Sequence, residues 1–81
     1  MLLEYIDNAM KKATYEKLED GTYFGKIPDC PGVLAFHSTL FGCQEELRSA
    51  LEGWLMVKLR HGDVIPVIEG IDLNQKAAVN E

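Results

Sequence analysis

The sequence predicts an α+β domain: an N-terminal helix, a three-stranded antiparallel β-meander, and a long helix packed on the sheet. Three observations carry this prediction. Residues 2–12 and 40–61 repeat apolar side chains at helical spacing, residues 14–37 hold short runs of β-formers broken by Gly and Pro turns, and 81 residues leave room for one hydrophobic core. The whole chain, residues 1–81, therefore reads as a single domain.

In the first element Leu2, Leu3, Tyr5, Ile6, Ala9, Met10 and Ala13 fall on one side of a 3.6-residue wheel, and Glu4, Asp7, Asn8, Lys11 and Lys12 on the other. The acid-first, base-last order suits the helix dipole. About three turns are marginal in isolation, so this helix must dock on its own sheet or on another chain.

The pattern then changes. Thr14 to Glu19 reads as a strand, and Asp20-Gly21 supplies a tight two-residue hairpin turn. Thr22 to Ile27 is a second strand, in which Gly25 marks a bulge or a close backbone approach. Pro28-Asp29-Cys30-Pro31-Gly32 breaks that strand, and Val33 to His37 forms a third.

Thr39 suits the N-cap of the long helix, Leu40 to His61, although Gly42 stands where a capping box would place Glu and weakens the first turn. The core stripe is Leu40, Cys43, Leu47, Ala50, Leu51, Trp54 and Leu55. From Trp54 to Leu59 the helix is apolar nearly all round, and one sheet covers only one side of it. We therefore expect Trp54, Met56, Val57 and Leu59 to form an oligomer interface, in a dimer or tetramer. Gly62 ends the helix, and residues 63–81 form an extended tail that permits a short C-terminal edge strand, with Pro66 arguing against a central one. From Asn74 onward the tail reads as frayed.

Composition narrows the function. Thirteen acidic against eight basic residues give a formal charge of −5, which argues against binding a phosphate backbone and suits a protein kept soluble by its charge or one that approaches a basic partner. Tyr15, Tyr23 and Phe24 are candidates for base stacking, but Lys17 and Lys26 are the only basic residues beside them. Cys30 and Cys43 are too few for a zinc site, and a disulfide between them stays open. An acidic N-terminus unlike a signal peptide, and no apolar run near the ~20 residues of a membrane span, suggest a cytoplasmic protein. His37 and His61 are the candidates for acid–base work, yet no nucleophile–base–orienter set accompanies them. No metal site, cofactor or enzymatic activity is expected.

The run Glu19-Asp20-Gly21-Thr22-Tyr23-Phe24-Gly25-Lys26-Ile27-Pro28-Asp29-Cys30-Pro31-Gly32-Val33 leads to Ser38-Thr39-Leu40, Glu45-Glu46-Leu47 and Leu51-Glu52-Gly53-Trp54-Leu55. Together these resemble the HicB-like antitoxin family, from Leu3 to about Leu73. The resemblance implies a partial RNase-H-like fold without nuclease activity. It also implies a partner, a small basic HicA-type mRNA interferase toxin, which the antitoxin binds and neutralises by covering its active face. Many members carry a C-terminal DNA-binding domain; the short form expected here lacks one, which leaves direct DNA binding without a carrier.

On this reading Glu16, Glu19, Asp20 and Asp29, on the strands and turns of the meander, are the expected toxin-binding acids. Two other readings remain beside it: an orphan oligomeric module, structural or regulatory, without a toxin, and a hydrolase using His37.

Overall fold

The structure, a computed structural model, describes residues 1–74. Helix α1 (Leu2–Lys11) carries Glu4 in its first turn and Lys11 in its last, opposite the matching ends of the helix dipole. It buries Tyr5, Ile6 and Ala9, while Leu2 and Leu3 stay exposed. The helix therefore docks through the middle of its expected stripe, and its N-terminal apolar ridge projects into solvent.

Strands β1 (Thr14–Lys17), β2 (Tyr23–Lys26) and β3 (Leu34–His37) form an antiparallel sheet in the order β1-β2-β3. The rows Tyr15–Gly25–Ala35 and Lys17–Tyr23–His37 face one way, and Thr14–Lys26–Leu34 and Glu16–Phe24–Phe36 the other. The register is unbroken, so Gly25 marks a close approach and not a bulge. A methyl group there would stand 2.9 Å from Tyr15 Cε1 and 3.1 Å from Cys43 Sγ. The β1–β2 turn has three residues, Glu19-Asp20-Gly21, since the Leu18 amide donates to the Thr22 carbonyl at 2.7 Å. The extra residue is accommodated by Gly21 at φ 89°.

Helix α2 (Leu40–His61) crosses the Gly25–Ala35 side of the sheet. Thr39 caps it, its hydroxyl accepting from the Gly42 amide at 3.0 Å. Cys43, Leu47, Leu51 and Leu55 are fully buried at i, i+4 spacing; Ala50 and Trp54 pack at the margin, and Leu40 is exposed. The core is thus narrower than the expected stripe, because three short strands cover one narrow face of the helix. Both cysteines are free thiols within this core. The Cys43 thiol lies 3.6 Å from the carbonyl oxygens of both Tyr23 and Ala35, and burial pushes its pKa up.

Residues 63–74 do not extend the sheet as an edge strand. Ile65 and Ile68 instead enter the core beside α1 and α2, and the buried Tyr5 hydroxyl donates to the Pro66 carbonyl at 2.7 Å. A tight turn links Ile68 to Ile71, with φ 49° at Glu69 and 77° at Gly70. Asn74 closes the segment: its amide oxygen accepts from the Ile65 amide at 2.7 Å and its nitrogen donates to the Ile65 carbonyl at 2.9 Å. Asn74 is therefore tied down and not frayed; residues 75–81 of the expected tail lie outside the described residues.

Candidate partner-binding surfaces

With α2 on one face of the meander, the other face is open among the described residues. Its centre is a Phe24–Phe36 pair, ring centroids 4.9 Å apart and tilted by 33°. Phe36 is 56% exposed, Leu34 is exposed beside it, and Phe24 is half-buried. Glu16 shares the phenylalanine row, and Lys26 stands one row away. The surface is an apolar centre with charge at its margin, an arrangement common at protein interfaces.

The expected toxin-binding acids divide around this face. Glu16 lies on it, and Glu19 and Asp20 lie in the adjoining β1–β2 turn. Asp29 sits in the β2–β3 connection at the opposite end of the strands, so the four do not make one patch. Asp20 is also engaged within the turn. Its Oδ1 accepts from the Thr22 hydroxyl at 2.6 Å and the Thr22 amide at 3.0 Å, which holds its carboxyl below the usual range. Glu16 remains as an exposed charge in the phenylalanine row, and Glu19 as one in the adjoining turn.

Leu34 and Phe36 are the residues that sequence reasoning missed. The signal was present: Gly25 and Ala35, the small residues of β2 and β3, mark the side that a helix approaches, which turns Phe24 and Phe36 outward. Tyr15 and Tyr23 lie on the helix side, so the three aromatic residues weighed for base stacking do not share a face.

The four expected oligomer residues also separate. Trp54 and Leu59 pack against the core, with the Lys58 ammonium 5.4 Å from the Trp54 ring centroid. Met56 and Val57 point away from it, 67% and 54% exposed. Met56 borders a groove with Leu2 and Leu3 of α1.

His37 is half-buried at the start of α2. Its Nδ1 lies 3.2 Å from the Thr39 amide, which donates to it, and 3.3 Å from the Thr39 hydroxyl. His61 lies exposed in the last turn of α2. Among the described residues no three His, Cys, Asp or Glu side chains converge to hold a metal ion, and no helix is long and apolar enough to cross a membrane.

These features define a class, a small α+β protein whose meander is covered by a long helix on one face and open on the other. The chain belongs to the UPF0150-like family, whose model matches residues 4–66. It is similar to TTHA0281 from Thermus thermophilus, known from a crystal structure. The two are 36% identical, with a TM-score of 0.86 over 94% of this chain and 95% of that one. No curated protein matches the chain.

Proposed function

We propose that the chain is a HicB-like antitoxin with a partial RNase-H-like fold, which binds and neutralises a small basic HicA-type mRNA interferase toxin. It acts as a cytoplasmic, non-enzymatic module that needs no cofactor and covers the toxin's active face. The observation that carries this reading is the open sheet face, where Phe24 and Phe36 stand beside Glu16 on a chain of formal charge −5. Phenylalanines supply area to desolvate, and Glu16 and Glu19 supply charge that draws and orients a basic partner. Membership of the UPF0150-like family over residues 4–66 supports the same reading.

Co-expression with a small basic protein encoded beside this gene tests it. The pair should co-purify and the toxin's growth arrest should be relieved. Glu16→Lys with Phe36→Ala should weaken binding at least tenfold and flatten its salt dependence. A neighbouring basic protein that is neither bound nor neutralised would remove the reading.

A second reading is an oligomeric structural or regulatory module without a toxin. It is favoured by the exposure of Met56 and Val57 on the side of α2 away from the sheet.

A further inference from the structure

The outward side of α2 carries Glu46, Ser49, Gly53, the adjacent pair Met56 and Val57, and Arg60, each step along the helix being three or four residues. These positions lie opposite Cys43, Leu47, Leu51 and Leu55, which face the core. Met56 and Val57 are its exposed apolar centre, and the exposed Leu2–Leu3 ridge of α1 widens the apolar surface across a shared groove.

Gly53 sits in this face, and a side chain there would meet nothing within 4 Å. Glycine weakens a helix relative to alanine, and nothing among the described residues uses its lack of a side chain. A glycine on an exposed helix face admits the backbone of a second helix to close range. Its neighbours on the face decide which helix. Charge is uneven along α2: Glu45, Glu46 and Glu52 fall in its first two-thirds, where the one base, Arg48, is paired with Asp7 and Glu52, whereas the last turn holds Lys58, Arg60 and His61 and no acid. On the outward face Glu46 lies seven residues before Gly53 and Arg60 seven residues after it. Neither makes an ion pair among the described residues.

We infer that this face binds a second copy of the chain, with the two α2 helices antiparallel and crossing at Gly53 about a two-fold axis. The face is its own complement under that operation, as an isologous contact requires. Glu46 of each copy then meets Arg60 of the other, Val57 and Met56 settle over the small residues Ser49 and Gly53, and the helix dipoles oppose. A parallel arrangement sets Glu46 on Glu46 and Arg60 on Arg60. The open phenylalanine face stays free for a different partner. The inference deepens the oligomeric reading and is independent of the toxin.

Sedimentation equilibrium of the full chain from 5 to 200 μM tests it, with circular dichroism to verify that each variant is folded. The wild type should dimerise, and Val57→Glu and Gly53→Leu, both at exposed positions, should be folded monomers. Glu46→Lys and Arg60→Glu should each weaken the dimer at least fivefold, and the double swap should restore it to within about threefold of wild type. A wild-type monomer at 200 μM would overturn both the inference and the oligomeric reading. An oligomer that persists in Val57→Glu, or a double swap no better than its single variants, would overturn the inference alone and leave oligomerisation to another face.

Discussion

The His37 ring occupies the space that a side chain on Gly42 would need. Thr39 still caps α2, so the glycine that breaks the capping-box pattern is the residue that lets β3 and the helix start approach each other. The expectation of a merely weakened first turn missed this, because sequence spacing alone does not reveal which ring lies over the helix start. Gly42→Ala should destabilise the domain by about 1–3 kcal/mol through overpacking, measured by urea unfolding. In the double variant with His37→Ala the clash is gone, so its loss should be smaller than the sum of the single losses by at least about 0.5 kcal/mol. Strict additivity would show that the two residues do not press on each other. Asp20 is a contrasting case, where the residue type was legible and its engagement was not: Asp-Gly announces a turn, but not that the carboxylate folds back onto the Thr22 amide and hydroxyl.

At the scale of elements, the segment after α2 is held by few but specific contacts. Ile65 is buried, and both its backbone polar groups are satisfied by the Asn74 side chain. Asn74→Ala leaves a buried amide and carbonyl without that partner, at a cost of about 1–3 kcal/mol. We expect the Ile65 amide to exchange with solvent at least tenfold faster in this variant while amides in the middle of α2 change little; hydrogen exchange resolved by NMR measures both. Equal acceleration at all amides would mean that the segment opens only with the whole domain. The helices and strands of this chain were legible because each repeats a pattern with its own period. The docking of 63–74 was not, since its alternating Val64, Ile65, Val67 and Ile68 suit a sheet edge as well as a seat between helices.

For the molecule as a whole, burial sets the response to alkali. Burial is the leading reason that the Cys30 and Cys43 thiols and the Tyr5 phenol have raised pKa values, so the fold favours their neutral forms. Groups whose pKa is raised on folding contribute stability that is fully present below their unfolded values, about 8.5 for Cys and 10 for Tyr, and lost as pH rises through the folded values. Stability should therefore fall above about pH 8.5, by up to ~1.4 kcal/mol per pH unit for each thiol. Urea unfolding at pH 7.5, 9 and 10 in reductant measures this, and Cys43→Ala should reduce the slope. A midpoint unchanged to pH 10 would show that the thiols ionise as easily folded as unfolded.

The sequence by itself determined the α+β class, the order of elements, the Thr39 cap and the acidic balance. These are local or additive properties: period, capping chemistry and net charge need no knowledge of what a residue touches. Only the tertiary structure decided which face each side chain occupies. It turned Phe24 and Phe36 outward, set Trp54 and Leu59 against the core while leaving Met56 and Val57 in solvent, and parted Asp29 from Glu16, Glu19 and Asp20. The physical reason is that alternation defines two faces of a strand and periodicity defines the sides of a helix. Which of them is buried depends on where distant segments dock, here α2 across Gly25 and Ala35 and residues 63–74 against α1 and α2.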